Sequence, residues 1–269
     1  MIIESKEKEA GIEPPRNQTI YIRDLIKELV ARDMKLRYKR SILGMVWSLV
    51  NPLAQLLVLY FVFFYVIQVG IQNFTLFLFS GLLTWNWFQS SLIGATGSIV
   101  QNGMMIRRPG FPIALLPVVT VITNFIHFLI ALPILFVFVW FSGINVGWSI
   151  VAFPLIIIVQ FTLTLALAYF LAAIHVTFRD TEYLLGIALL LGFYLSPVFY
   201  DAVLVPEQFR FIYNLNPMVH IISAYREILI FGRFPFNNNL AILFIGSLIG
   251  LAIGYFFFTR SSYRFAEEI

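Results

Sequence analysis

The chain contains no cysteine, which excludes disulfides, zinc–thiolate sites, iron–sulfur clusters and a catalytic thiol. Charge is almost as scarce. Asp, Glu, Lys and Arg make up 12% of the 269 residues against 60% hydrophobic ones, and the mean hydropathy is +0.87. A chain of this size cannot hide so much apolar surface and keep a wettable exterior. A water-soluble enzyme is excluded, and lipid must solvate most of the molecule. The three histidines, His127, His175 and His220, lie far apart and offer little to a metal. No lysine follows Lys39, so the body cannot carry a Gly-x-x-x-x-Gly-Lys phosphate loop, and energy from ATP would have to enter through another chain. The net charge is +4, but the basic residues are segregated rather than spread over a surface, which argues against a nucleic-acid partner.

What charge there is falls mainly at the start. All five lysines lie within the first 40 residues, with Arg16, Arg23, Arg32, Arg37, Arg40 and seven of the fourteen acids. Residues 1–45 therefore read as a charged, water-facing segment. The first apolar stretch begins near residue 45 without a small-residue cleavage site, so a removed signal peptide does not fit. Six apolar stretches then have the length of a membrane span: Val46–Val69, Phe74 to about Thr96, Ala114–Phe141, Trp148–Ile174, Leu184–Tyr200 and Leu240–Phe258. The joints 70–73 and 142–147 are uncharged, while 101–110 and 176–183 carry Arg107, Arg108 and Arg179, and Arg260 and Arg264 follow the last stretch. Six crossings put fifteen of the eighteen basic residues on one face. Basic residues favour the cytoplasmic side, so both termini are expected inside.

Residues 20–40 have another pattern. Ile22, Leu25, Ile26, Leu29, Val30 and Met34 recur at helical spacing, with Arg23, Asp24, Lys27, Glu28, Arg32 and Lys35 between them and Thr19 as a candidate cap. A basic amphipathic helix of this kind is an interfacial anchor, or its polar face holds a cytoplasmic partner. The joint from Gln101 to Pro112 suits a short helix ended by Pro109 and Gly110, with Met104, Met105 and Ile106 beside the two arginines. It reads as a docking knob or as an ordinary positive-inside loop. In the second inner joint, Asp180 or Thr181 is a candidate cap, Glu182 falls in the first turn that follows, and His175 reads as interfacial. Residues 201–239 are too long and apolar for a turn. Two helix-like pieces, Pro206–Tyr213 and Pro217–Phe231, each open on proline. Such pieces suit a re-entrant or lid element packed on protein. Arg226 and Glu227 within it are either functional or neutralise each other.

No Asp, Glu, Lys or Arg lies inside the six stretches, and the chain shows no pair of equivalent halves. A proton- or sodium-coupled carrier generally needs buried ionisable groups or broken helices at mid-membrane. Aromatic residues, by contrast, crowd the first stretch (Tyr60, Phe61, Phe63, Phe64, Tyr65) and the fifth (Phe193, Tyr194, Phe199, Tyr200). They suit interfacial anchors, and aromatic faces also let sugar rings slide. No polar catalytic set gathers at either interface, which tells against an intramembrane transferase.

Taken in order, Arg37-Tyr38-Lys39, Leu43-Gly44, Trp47, Asn51-Pro52, Arg107-Arg108-Pro109, Phe178-Arg179-Asp180, Ser196-Pro197-Val198-Phe199-Tyr200, Val205-Pro206-Glu207, Leu215-Asn216-Pro217-Met218 and Ala224-Tyr225-Arg226 resemble the membrane subunit of a type-2 ABC exporter. The similarity is to the Wzm-type permeases for O-antigen and other cell-surface polysaccharides. It runs from about residue 20 to 260, and order and spacing carry it rather than any single motif.

That resemblance implies an all-α integral membrane protein with six transmembrane helices, both termini inside, an N-terminal interface helix and re-entrant outer gate helices. Its parts would be a cytoplasmic segment 1–45, a membrane domain 46–260 that includes the gate region 201–239, and a tail 261–269. The permease would work as a homodimer in the inner membrane with two copies of a cytoplasmic ATPase that binds ATP and Mg, holding no cofactor itself. Arg32, Arg37, Tyr38, Met105, Arg107, Arg108, Phe178, Arg179 and Asp180 would dock the ATPase. Leu43, Gly44 and Trp47 would form the mouth of the channel. Tyr60, Phe64, Phe193, Tyr194, Phe199 and Tyr200 would contact sugars, and Asn216, Pro217, Tyr225, Arg226 and Glu227 would belong to the outer gate. The same machine could carry teichoic acid, a drug or a smaller lipid, and a non-catalytic scaffold is a further reading.

Overall fold

The computed structural model describes residues 18–41, 43–235 and 238–268, and every regular element among them is helical. The charged stretch up to residue 17 lies outside the described residues. The α-helices are α1 (Gln18–Arg37), α2 (Trp47–Tyr60), α3 (Phe74–Gln101), α4 (Gly103–Ile106), α5 (Leu115–Phe141), α6 (Phe153–Thr177), α7 (Thr181–Leu195), α8 (Arg210–Asn214), α9 (Pro217–Leu229) and α10 (Asn238–Glu268).

Four helical segments among the described residues are long and apolar enough to cross a membrane: Gly44–Val66, Leu115–Phe141, Gly147–Thr177 and Asn238–Phe265. They match the first, third, fourth and sixth apolar stretches, the last running on as α10 through residue 260, where a tail was expected to begin. The first is not uniform. A 3₁₀ turn at Gly44–Val46 opens it, and the helix widens to a π-helix over Phe61–Val66, within the aromatic run of the first stretch. Wide turns of this kind recur at functional positions.

α3 is 28 residues long and has no charged side chain, but its serines, threonines and amides make it less apolar than the other four. It can be so because it forms the middle of the bundle, packed by α2, α5, α6, α7 and α9. Leu78, Phe79, Ala95 and Ile99 are fully buried. Several of its polar groups are satisfied within protein: Thr84 donates to Ser80 O at 2.8 Å, Thr96 to Leu92 O at 2.8 Å, and Gln160 of α6 to Thr84 O at 2.9 Å. A central helix needs no lipid-facing perimeter, and such bonds keep its polar groups tolerable at membrane depth. α10 packs along α6 through Gly250 and Gly254, spaced four apart. A Cβ at Gly254 would stand 2.8 Å from the Ala166 carbonyl, the close approach that small residues allow between membrane helices.

The fifth stretch departs from expectation. α7 has 15 residues, about 22 Å at 1.5 Å per residue, against a hydrocarbon core of about 30 Å. It stops because Pro197 drives Ser196 into an extended conformation, with ψ 149°. Residues 201–216 then form two 3₁₀ turns and the five-residue α8, so the first helix expected there is broken into pieces. The second is α9, with Pro217 at its start and Asn216 Oδ1 accepting from the Met218 amide at 3.0 Å. Thr19 does not cap α1, whose helix already includes Gln18. Asp180 occupies the cap position of α7, but its side chain accepts no capping bond.

Two helix faces are bare. Leu57, Val58, Phe61, Tyr65 and Val66 of the first span are exposed, as are Tyr183, Leu184, Ile187, Leu190, Leu191 and Tyr194 of α7.

Candidate functional site

The α1 end carries three elements that could meet a partner. The apolar side of α1 (Leu25, Ile26, Leu29, Val30, Met34) packs on Val119, Ile122 and Ile126 of α5 and on Met105 and Phe111. That placement leaves its charged side outward, with Arg23 and Asp24 paired at 3.2 Å. Arg32 does not point away. One guanidinium nitrogen donates to Met105 Sδ at 2.8 Å, and the other donates to Asn102 Oδ1 at 3.0 Å and pairs with Asp33 at 2.9 Å. Arg32 thus clips α1 to the joint that holds α4, and Met105 is drawn inward with it. The residue left standing out of that joint is Met104, 89% exposed, with Arg107 and Arg108 also exposed.

The second joint presents Phe178, 66% exposed, with Arg179 and Asp180 beside it. Thr177 Oγ1 donates to Glu268 Oε2 of α10 at 2.8 Å, which ties the joint to the end of the chain. His175, expected at an interface, is buried, with Nε2 3.8 Å from Glu182 Oε2. Among the expected docking residues, then, Arg107, Arg108, Phe178, Arg179 and Asp180 face outward together, whereas Arg32 and Met105 hold each other. Arg37 and Tyr38 also turn toward the bundle. Arg37 donates to Asn124 Oδ1 of α5 at 3.1 Å, and the Tyr38 hydroxyl lies 3.3 Å from His127 Nδ1. Desolvation raises the Tyr38 phenol above its ordinary range, with Arg37 and a Ser48 hydrogen bond opposing, so it stays protonated. Leu43, Gly44 and Trp47 lie just beyond, Leu43 and Trp47 about half exposed and Gly44 in the left-handed region at φ 50°.

The aromatic candidates fall into two groups. Tyr60 stacks on Phe64 at 4.8 Å between centroids, and Phe63 lies 4.8 Å from Phe199. Phe199 in turn touches Phe193, Tyr194 and Tyr200 at 5.4–6.0 Å. Tyr60 and Phe64 therefore stack as a separate pair beside Tyr65 and Phe74, while Phe63 of the π-helix joins the aromatic group at the end of α7, from which Tyr194 protrudes. The outer element is pinned beside it: Asn216 donates to Ser196 Oγ at 2.9 Å, and Ser196 donates to Gly192 O at 2.7 Å.

Two residues expected at the outer gate face inward instead. Tyr225 is 2% exposed and packs edge-on against Phe153 at 5.2 Å. Arg226, 5% exposed, donates to Phe77 O at 3.1 Å and Val198 O at 2.9 Å, its guanidinium carbon 3.3 Å from the Phe77 ring centroid. It forms no ion pair with Glu227 among the described residues. α9, α3 and the turn after α7 are locked through this one side chain. Gly81 makes the room, since a Cβ there would stand 2.9 Å from both Arg226 Nη2 and Val198 O. The seat could not be foreseen, because nothing in Tyr225-Arg226-Glu227 distinguishes an arginine bound by backbone carbonyls from one bound by its neighbour. No cluster of three or more His, Cys, Asp or Glu able to hold a metal occurs among the described residues.

A bundle of apolar helices with an amphipathic helix and two exposed joints at one end, and a short helix pair at the other, defines a membrane transporter architecture. The ABC-2 type transporter family matches residues 24–230, and the chain belongs to that family. It is 34% identical over 248 residues to an O-antigen export system permease protein, RfbA, of Klebsiella pneumoniae, covering 92% of this chain and 95% of the relative. It is 35% identical over 249 residues to the RfbA of Myxococcus xanthus, covering 92% and 96%. It is 25% identical over 251 residues to the polysialic acid transport protein KpsM of Escherichia coli, covering 90% and 93%.

Proposed function

We propose that the chain is the permease subunit of an ATP-driven exporter that moves an O-antigen-type cell-surface polysaccharide, lipid-linked or growing, across the inner membrane. Its near full-length likeness to O-antigen export permeases supports the cargo class. The observation that carries the mechanical part is the α1 end: Arg32 joins α1 to the first joint, and two hydrophobic knobs, Met104 and Phe178, stand clear of the bundle beside Arg107, Arg108 and Arg179.

In this reading residues 1–45 and the tail 261–269 are cytoplasmic, and the domain 46–260 crosses the membrane six times, both termini inside. The four apolar spans are joined by α3, long enough at 28 residues, and by α7 continued through 196–200 toward the re-entrant gate region 201–239. Two copies of the chain pair through the bare faces of the first span and α7, and each carries one cytoplasmic ATPase. ATP and Mg are held by that partner, and the permease supplies no catalytic step. ATP binding closes the partner dimer. The two joints and α1 pass the motion into the spans, and the aromatic residues Tyr60, Phe64, Phe193, Tyr194, Phe199 and Tyr200 offer sugar rings contacts of weak directional demand. A machine driven from outside the membrane has no need of a coupling ion, consistent with spans that carry no charge.

The test is export. A strain lacking its own O-antigen permease, supplied with this chain and its ATPase, should display polysaccharide on its surface. The Arg107→Ala, Arg108→Ala double variant should lower display severalfold while still holding the ATPase, because exposed charges orient a docked partner more than they bind it. Normal display from the double variant would count against these arginines as coupling residues. No display from the unaltered pair would overturn the cargo assignment.

A further inference from the structure

A polar cavity of about 340 Å³ lies between α1, α2, α3 and α5, apart from both aromatic groups. Its size falls at the lower end of small-ligand pockets, roughly 300–1,000 Å³. Its wall is unusual for a chain so apolar: Arg37, Tyr38, Ser48, Asn51, Asn86, Ser90, Asn124 and His127, with Trp47 and Trp87. Arg37 is the only fully charged side chain in the wall; no carboxylate lines it, and none pairs with Arg37 among the described residues. Its guanidinium spends one nitrogen on Asn124 Oδ1 at 3.1 Å, which leaves further donors of the fork unengaged.

An uncompensated arginine fork among hydroxyls and amides suits a phosphoryl oxyanion, which it can engage bidentately. The amides and the half-exposed indole of Trp47 suit a polyol or sugar beside it. The cavity also opens next to Met45, Val46 and Trp47, each about half exposed, apolar residues that belong at a lipid boundary. That points to a headgroup rather than a soluble anion.

We propose that this cavity holds the phosphoryl group of a lipid headgroup from the leaflet on the α1 side, engaged by Arg37, with the attached polyol or sugar against Trp47 and the amides of Asn51 and Asn86. The proposal rests on the membrane placement given above. It does not depend on export being observed. The lipid is either a resident phospholipid or the pyrophosphoryl end of a lipid-linked cargo.

Binding to the full-length chain in an uncharged polyoxyethylene detergent separates the cases. The probes are a polyprenyl pyrophosphoryl sugar, phosphatidylglycerol, and a neutral alkyl glycoside of the same sugar. At least one phosphorylated probe should bind about tenfold more tightly than the glycoside, the ordinary worth of a charge-assisted contact. Tighter binding of the pyrophosphoryl sugar identifies cargo, and equal or tighter binding of phosphatidylglycerol identifies a resident lipid. Arg37→Gln should lose about tenfold and Arg37→Lys less. Asn51 makes no side-chain hydrogen bond among the described residues, so the isosteric Asn51→Asp should fold normally and yet lose binding by placing an anion opposite the phosphate. Arg260→Gln, on the exposed side of α10 and outside the cavity, should bind as the unaltered chain does. Equal binding of the neutral glycoside, or unaltered binding in both Arg37→Gln and Asn51→Asp, would overturn the proposal. A chain that holds its ATPase and fails these tests loses only this site, not its assignment as an exporter subunit.

Discussion

Met104→Asp and Phe178→Asp together should abolish ATPase association while leaving the bundle intact. Both side chains stand almost alone in water, 89% and 66% exposed, so replacing them removes little internal packing. Large apolar residues at the tips of two joints have the character of interface anchors, each typically worth about 2 kcal/mol or more when truncated. At that value each loss weakens the complex roughly thirtyfold, and a buried carboxylate in the partner's groove weakens it further. Co-purification of each single variant and of the double, with melting temperature in detergent as a folding control, checks this. An unchanged ATPase yield from the double variant would mean that neither knob is in the interface.

Arg226→Ala should be the most destabilising single change in the outer half of the protein, by about 2–4 kcal/mol from a buried cavity and an unsatisfied carbonyl. Val198 O would lose its partner, and α9 would lose its tie to α3 and to the turn after α7. Arg226→Lys keeps the charge and an ammonium able to donate to both carbonyls, as Nη2 alone does here, but it lacks the guanidinium plane that lies over the Phe77 ring, so it should recover only part of the loss. Gly81→Val offers an independent approach, since its side chain would enter the space now held by Arg226 Nη2. Thermal unfolding in detergent of all three should rank Lys above Ala and place Gly81→Val with the destabilised variants. Wild-type stability in Arg226→Ala would show that the carbonyls find other partners.

The helices were legible where their cause is local. Hydrophobic length alone located the first span within two residues of its start, and Pro217 announced α9 because a proline acts through its own backbone at a helix start. The end of α7 was written in Ser196-Pro197 and was overrun, because the apolar run continues through Val198 and Phe199 while the backbone turns. α3 was legible as an uncharged stretch, but not as the central helix, because that depends on which neighbours cover Ser80, Thr84 and Thr96. Sites made across the chain were hardest to foresee. Met104 and Met105 are adjacent and chemically alike, and only Arg32, seventy-three residues from Met105, decides which points outward. Arg226 beside Glu227 suggested an ion pair, whereas burial against Phe77 and Val198 brought carbonyls closer than the carboxylate. The Arg37 cavity draws on four helices, and no local motif encodes it.

Purification of the tagged full-length chain in mild detergent, with quantitation of what comes with it, tests the central claim most directly. An ATPase should co-purify in equal amount with the permease, and deleting residues 20–40 should remove it. A clean permease with no ATPase, under conditions that preserve other membrane complexes, would contradict the account.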